Sequence, residues 1–423
     1  MKFWRYYLCI ITTQIIIMVT VLYNIQEHQP NMGLTEDIDG KDQTLSLSQA
    51  CSAALDEKTV GTLTNALSTT FGIDHCPYYV TENHYITAPL SIEEAAFPLA
   101  YVMTIGHDFD TFERLFRAIY MPQNVYCIHL DQKASNKFKL DVEQLIECFP
   151  NAFIASKSEY IIYGGISRLR AEMICMRDLL ASDVNWRYLI NMRDNDFPLK
   201  TNKEIVQYLK TLKGKNVTPR LVSIQKSAER IKYVHVEHRT RTQSLILKKR
   251  KKKNSPPNQL KIHFGSAYVA LTKEFVQFAL FNKIAIELFQ WSKDTYCPDE
   301  HFWITLNNIP GVPGSMAQGT SDMSLRAVKW IFQENIHKGC HGHYWQDMCV
   351  YGPGDLKWLY NSSSMFASRF ELGKYPLTVE CLELRIRERA LNQSEVPAIL
   401  EWKFFPHYSY FREDSTKKTI KDQ

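Results

Sequence analysis

The chain reads as an α/β protein with a largely parallel central sheet, carried on an N-terminal signal anchor and stem. Three observations predict this. Short apolar runs alternate with amphipathic helical segments from Pro98 onward, the pattern of a parallel sheet with helical crossovers. The uncharged stretch Tyr6 to Ile25 is long enough to cross a bilayer once as a helix. Every cysteine but Cys9 follows that stretch, in what an oxidising lumen would keep as disulfides.

Lys2 and Arg5 precede the apolar stretch, and Glu27, Glu36, Asp37 and Asp39 follow it. The positive-inside rule then leaves residues 1–5 in the cytoplasm, makes 6–25 the membrane helix and sends the rest to the lumen. A cleaved signal peptide needs a shorter core and small residues at the cut, and Tyr23-Asn24-Ile25-Gln26 supplies neither. Three sequons, at Asn216, Asn361 and Asn392, fit a lumenal chain and are expected glycosylation sites. Residues 26–88 are polar and rich in Ser, Thr, Asn and Asp, as suits a stem, with Cys51 and Cys76 tying part of it to the body. Residues 89–405, roughly 320 residues, make one large domain or two intimate ones, and 406–423 a polar tail.

Hydrophobic residues at 45% with 12% aromatics are ample for a packed core, and a net charge of +5 does not by itself call for a polyanion partner. The run Lys248-Lys249-Arg250-Lys251-Lys252-Lys253 invites a nuclear or nucleic-acid reading, which an anchor and lumenal cysteines contradict. With Asn254-Ser255-Pro256-Pro257 after it, the run reads as a solvated loop able to attract anionic glycans or tune membrane proximity. No nucleic acid is expected as a partner.

Ala100 to Ile105 reads as a buried strand ending in Gly106-His107, and Phe109 to Tyr120 as a helix stopped by Pro122. Val125 to Leu130 is a second strand closing on Asp131, and Phe153-Ile154-Ala155 a short third. Ser167 to Leu180 is a helix, followed by a fourth strand at Tyr188 to Met192. In such sheets ligands bind beyond the carboxyl ends of the strands, which gives weight to Thr104–His107, Asp131–Lys133 and Arg193–Asp196. No GxGxxG or GxxxxGK[ST] follows a strand, against a dinucleotide site or a P-loop. Ser223 to His238 is irregular, Phe264 to Leu271 strand-like and Lys273 to Phe289 helical. Tyr296 to Trp303 then crowds aromatics, carboxylates and imidazole onto a helix start with Pro298 just inside it.

Asp299 and Glu300 admit a general-base reading, set against the preference of acids for a helix's first turn. The pairs Asp37/Asp39, Asp108/Asp110 and Asp194/Asp196 admit a divalent metal on a diphosphate, Asp194/Asp196 being best placed at a strand end. Acids two apart are also common by chance. Cys340, His341, His343 and Cys349 admit zinc, but a local Cys340–Cys349 disulfide is the simpler lumenal reading.

The stretch 98–131, Ile162 to Arg168, Asp196 to Asn202, and the later GSAY, CPDE and YGPGDLKW blocks together resemble the core-2/I-branching β-1,6-N-acetylglucosaminyltransferases. The likeness runs from about Cys76 to Ser394. Lys232 to His235, Cys340 to Tyr344 and Tyr375 to Cys381 look closest to the I-branching type, while the departures below suggest a separate, seventh member. The resemblance implies a GT-A-like glycosyltransferase domain, the catalytic domain, over residues 89–405, in the Golgi membrane, single-pass type II. Its donor would be UDP-GlcNAc and its acceptor a galactose or GalNAc 6-hydroxyl of a glycoprotein or glycolipid glycan. Transfer would invert the anomeric centre, with no cofactor and no metal.

Carried over by position, Glu300 matches the general base and Arg369 a cation on the diphosphate. Thr104, Ile105, Gly106, Asp131, Gln132, Lys133 and Tyr163 match donor-binding positions, and Arg230 and Trp330 acceptor-binding ones. The family's disulfide scheme implies Cys51–Cys381, Cys76–Cys148, Cys127–Cys175 and Cys340–Cys349, leaving Cys297 unpaired. Three departures stand out. Gly106 stands where relatives carry His, Arg193-Asp194-Asn195 replaces a Cys-Gly-x stretch, and Gln346 occupies the place of a second diphosphate arginine in the core-2 enzymes. An amide cannot replace a charge in a metal-free site, so Lys133 or another cation would have to compensate. The rival readings are a transferase with another donor or acceptor, such as a xylosyl donor, and a glycan-binding protein that has lost turnover.

Overall fold

Five strands build the central sheet: β1 (Leu99–Ile105), β2 (Val125–Leu130), β3 (Ala152–Ile154), β4 (Tyr188–Arg193) and β5 (Ala270–Thr272). The computed structural model describes residues 44–63, 75–220, 228–240, 243–316 and 325–412. The strands lie in the order β5-β4-β1-β2-β3. β1 runs parallel to both β2 and β4, β2 is parallel to β3, and only β5 is antiparallel to its neighbour. The period of two sends Tyr101, Met103 and Ile105 into one core, with Phe112, Leu115 and Phe116. Ala100 and Val102 face the other core, with Leu169, Met176 and Leu179. This mixed α/β arrangement with its largely parallel sheet fits the GT-A-like domain expected.

Helices cover both faces. α1 (Phe109–Ile119) is capped by the Asp108 carboxylate, which accepts from the backbone and hydroxyl of Thr111. α2 (Asn136–Glu147) starts at a Ser135 cap. α3 (Ile166–Leu180) is bonded to β2 through Cys127–Cys175. The three other expected disulfides, Cys51–Cys381, Cys76–Cys148 and Cys340–Cys349, are also present. A buried ion cluster fastens α1 to the helix Pro376–Asn392: Arg117 meets both oxygens of Glu383 at 2.6 and 2.8 Å, and Arg114 reaches Glu380 at 3.5 Å.

The structure departs from the sequence reading in several places. Of the stretch expected to be stem, residues 44–63 and 75–88 belong to the body. Thr44–Leu45 and Val60–Leu63 pair with Ser409–Arg412, so the expected tail is in part a strand as well. Between them the helix Leu47–Leu55 buries Leu47, Ala50, Cys51 and Ala54. The apolar spacing was there, but in pieces too short to stand out from a polar background. The helix expected over 273–289 is two, Lys273–Phe281 and Lys283–Ser292, because Asn282 turns extended and its side chain caps the second at Ile284 N, 2.9 Å. The basic run is a strand rather than a loop: Ser244–Lys252 pairs antiparallel with Tyr233–Arg239.

Asn216 is also corrected. It is 0% exposed, its Nδ2 donates to Asn307 Oδ1 at 3.0 Å and Pro313 O at 2.9 Å, and its Oδ1 accepts from Thr272. A glycan on that nitrogen is incompatible with this packing. Asn361 and Asn392 are exposed. The anchor at 6–25 lies outside the described residues. Among those described, no helix is long and apolar enough to cross a membrane.

Candidate active site

The strand order places a topological switch point between β1 and β4, since the chain leaves β1 toward β2 on one side and returns to β4 on the other. Ligands of open α/β sheets bind in the crevice beyond such a point. Its two lips are Thr104–His107 and Arg193–Asp196, and Asp194 joins them. Its Oδ2 accepts from the backbone N–H of Gly106 at 3.1 Å and His107 at 3.3 Å, and lies 3.1 Å from His107 Nδ1. That hydrogen bond and charge raise the His107 pKa, against burial and Arg369. Asp196 Oδ2 accepts from Arg193 N at 2.9 Å and Arg326 Nε at 3.1 Å. The Asp194/Asp196 pair considered as a metal site is thus already engaged by protein donors on both members.

The residues matched to the donor lie along this edge. Asp131 follows β2 and joins the end of β1 through its N–H to Ile105 O, 2.9 Å. Its Oδ1 accepts from Lys133 N at 2.9 Å. Gly106 is beside it: a Cβ at 106 would stand 3.1 Å from Asp131 Cβ, so a larger residue would press on that carboxylate. Ile105 is buried and can offer only backbone, and Thr104 Oγ1 donates to Met192 O at 3.3 Å. Gln132 Nε2 donates to Ser158 O at 2.9 Å. Lys133 turns to Asp131 Oδ2 at 3.4 Å and to the Tyr160 ring at 5.4 Å.

Glu300 stands on the short turn Pro298–Glu300, a 3-10 turn rather than the first turn of an α-helix; the helix itself is Phe302–Asn307. Its Oε2 pairs with Arg230 Nη1, so the expected base and an expected acceptor residue are brought into contact. Burial raises the Glu300 pKa, and Asp299 adds to this, while Arg230 and Arg193 oppose it. Asp299 itself is buried and faces Arg168 at 3.5 Å and Arg193 at 3.9 Å. Behind it, burial and then Asp299 push the Glu172 carboxyl up to about 7; Glu172 accepts from Asn191 at 3.0 Å and Trp303 at 3.3 Å. Tyr163 is half a step away: the Arg168 guanidinium lies 5.3 Å from its ring, and Gly164 O accepts from Cys297 N at 2.8 Å. Gly164 has φ +78°, and a Cβ there would meet the Tyr296 ring at 2.7 Å, so only glycine lets the two loops close. The Cys297 thiol is buried, and burial followed by Asp299 and Glu300 raises its pKa, which fits an inert packing thiol.

Arg369 approaches the crevice from another side. It follows the strand Phe366–Ser368, whose Ser368 is opposite Asp196, and Phe370 N donates to Asn195 O at 2.9 Å. Its guanidinium lies 3.3 Å from Glu371 Oε1 and 5.6 Å from the Trp345 ring. Lys374 shares Glu371 at 2.7 Å. Gln346 and Asp347 form the two-residue turn of the hairpin His343–Trp345/Met348–Val350, both at positive φ. Trp330 bridges to Met348 and stacks on Phe332 at 5.6 Å, which places it on this hairpin side.

A family model described as Branch: Core-2/I-Branching enzyme matches residues 99–360. The chain belongs to the core-2/I-branching enzyme family. It is a glycosyltransferase. The human N-acetyllactosaminide beta-1,6-N-acetylglucosaminyl-transferase is 57% identical over 358 residues, 85% of this chain and 89% of that protein. The mouse protein of the same description is 53% identical over 406 residues, 95% of this chain and 99% of its own. The human "Probable beta-1,3-galactosyl-O-glycosyl-glycoprotein beta-1,6-N-acetylglucosaminyltransferase 7" is 44% identical over 323 residues, 76% of this chain and 75% of that protein. The likeness to the I-branching type is therefore stronger than that to the seventh member.

Within this core-2/I-branching domain, the sequence reading missed the two arginines on Asp299 and the link from Asp194 to His107. Arg193 and Asp194 stood in view as departures at a strand end, and an arginine beside two carboxylates was the available signal. Pairing across the 130 residues between Arg168 and Asp299 could be read only from coordinates.

Proposed function

We propose that this chain transfers GlcNAc from UDP-GlcNAc, with inversion, to a 6-hydroxyl of galactose or GalNAc in O-glycans or poly-N-acetyllactosamine, forming a β-1,6 branch. The observation that carries this reading is the Glu300 carboxylate, paired with Arg230 through Oε2 alone, on a loop fixed by Asp299 below it. Oε1 remains for an acceptor hydroxyl. As that oxygen attacks the anomeric carbon from the face opposite UDP, Glu300 takes its proton. The bond from the anomeric carbon to the diphosphate breaks, and UDP leaves with the electron pair. Arg369 stabilises the charge that accumulates there, and Lys374, sharing Glu371 with it, is the second cation in place of the one missing at Gln346. Lys133 is turned to Asp131 and is not needed in that role.

On this reading transfer is metal-independent. Its support is that Asp194 Oδ2 and Asp196 Oδ2 are held by His107, Arg326 and backbone amides. The sequence-based topology, a single-pass type II protein of the Golgi membrane anchored by residues 6–25, completes the proposal.

The test is transfer by the purified lumenal chain from UDP-GlcNAc to Gal- and GalNAc-terminated acceptors, with and without EDTA. Glu300→Gln is expected to lower kcat by roughly 100- to 10,000-fold while UDP still binds. Product that survives in Glu300→Gln refutes the base assignment, and loss of activity in EDTA refutes metal independence. UDP binding without product from any acceptor favours the non-catalytic reading, and product only from UDP-xylose the altered-donor reading.

A further inference from the structure

The strands Tyr233–Arg239 and Ser244–Lys252 form a two-stranded ribbon whose register is broken at one place. Tyr233 is opposite Lys252 and His235 opposite Lys248, so Val234 alone faces the three residues Lys249, Arg250 and Lys251. A bulge of this kind pushes the surplus residues outward and is a device for aiming side chains. Here every surplus residue is a cation, and Lys248 to Lys252 are all exposed. The flanking cations are satisfied: Lys248 pairs with Glu229 at 3.3 Å, and the Lys253 side chain is buried against Asp294. Among the described residues, Lys249, Arg250, Lys251 and Lys252 have no carboxylate within ion-pair distance.

The ribbon is also fixed to the candidate active site. Arg230, the partner of Glu300, lies on the short helix Glu229–Lys232 that runs into Tyr233. Tyr296 N donates to Arg230 O at 3.0 Å, and His235 N to Asp294 O at 2.8 Å. From Arg230 to Lys252 is one helical turn and one cross-strand step, on the order of 10 Å between backbones. A surface of unpaired cations so near the base, on the side where the acceptor is read to enter, will meet whatever extends from the reacting sugar.

We propose that this cationic bulge binds acidic groups, sulfate esters or sialic carboxylates, on the acceptor glycan, so that the enzyme prefers acidic over neutral glycan chains. This rests on the branching reading above and names the acceptor class for it. Charge complementarity favours a glycan over a lipid surface, because the ribbon runs on from the short helix that carries Arg230, the partner of Glu300.

The experiment uses the lumenal chain and a variant with Lys249, Arg250, Lys251 and Lys252 all changed to Ser. Three acceptors of equal length are compared: a neutral lactosamine oligosaccharide, one sulfated on its GlcNAc residues and one capped with sialic acid. Direct binding to heparin is measured separately, so that a chain with no turnover still reports on the surface. In low salt the variant is expected to raise KM for acidic acceptors about tenfold and to leave the neutral one within about twofold. Sulfate and sialate arms that differ identify which acid is preferred. Equal KM for acidic and neutral acceptors in the parent chain, or unchanged heparin binding in the variant, overturns the proposal. Capture on phosphatidylserine vesicles without any preference among the glycans overturns it in favour of a membrane surface. Absence of product from every acceptor, with variant-sensitive heparin binding intact, instead sinks the branching reading alone.

Discussion

Asn216→Ala tests whether a sequon can be structural. The side chain is fully buried and satisfied: two donor hydrogens go to Asn307 and Pro313, and its oxygen takes the Thr272 amide and hydroxyl. Truncation removes four hydrogen bonds and leaves their partners without water. At about 1 kcal/mol each the loss is about 4 kcal/mol, with the cost of stranded partners offset by local relaxation. For the body spanning residues 44–423 the unfolding entropy is about 0.8 kcal/mol/K, so the midpoint should fall by about 5 °C. Thermal unfolding of the secreted lumenal chain measures this, with Asn361→Gln and Asn392→Gln as controls expected to move it by less than about 1 °C. The same burial predicts the glycan map. Peptide mass spectrometry of the folded, active fraction should find modified Asn361 and Asn392 and an unmodified Asn216. A glycan on Asn216 in that fraction, or an unchanged midpoint in Asn216→Ala, would refute the argument.

Two further outcomes follow from the charge arrangement. Because a base must be deprotonated and burial with Asp299 raises the Glu300 pKa, kcat/KM should fall on its acid side above the ordinary glutamate range. Removing the opposing cation in Arg230→Gln should move that limb to higher pH, and a limb that moves lower would contradict the pairing. In the buried cluster, burial alone would raise Glu383, but Arg117 and Arg114 outweigh it and hold the carboxyl down to about 2. A depressed carboxylate contributes stability that is complete above its unfolded pKa and lost as pH falls through the folded one. Glu383→Gln should therefore cost about 3–5 kcal/mol near neutrality and less toward pH 2, measured by denaturant unfolding across that range.

The parts of the fold that depend on local period were legible in the sequence. Ala100–Ile105 and Val125–Leu130 announce themselves as strands because a parallel sheet covered on both faces needs continuous apolar runs. The base loop was legible through Cys297-Pro298-Asp299-Glu300, although not as a 3-10 turn. What stayed hidden depends on distant partners. Thr44–Leu45 and Ser409–Arg412 are unremarkable alone and become strands only by pairing across the whole chain. The basic run looked like a loop because charge hides the alternation of an exposed ribbon. Asn216 looked like a glycan site because a sequon carries no information about burial.

The candidate site gains its order from two supports that reach the same short turn. From the sheet, Arg168 on α3 and Arg193 at the end of β4 both converge on Asp299. From the ribbon, Arg230 takes Glu300 directly. The Asp299 charge raises the Glu300 pKa, and the two acids are held by separate cations, Arg168 and Arg193 on Asp299 and Arg230 on Glu300. Asp299 is the buried member, and its pair of arginines keeps the turn in place without consuming the base. Glu300 keeps one oxygen free. A substitution at Arg193 would therefore act at a distance, by loosening Asp299 and with it the angle at which Glu300 meets the hydroxyl, whereas one at Arg230 would act on the base itself. On the proposed mechanism the donor crevice, which ends at Arg193, and the acceptor ribbon, which begins at Arg230, are joined through two adjacent acids, and positioning of each substrate bears on the proton transfer that needs both.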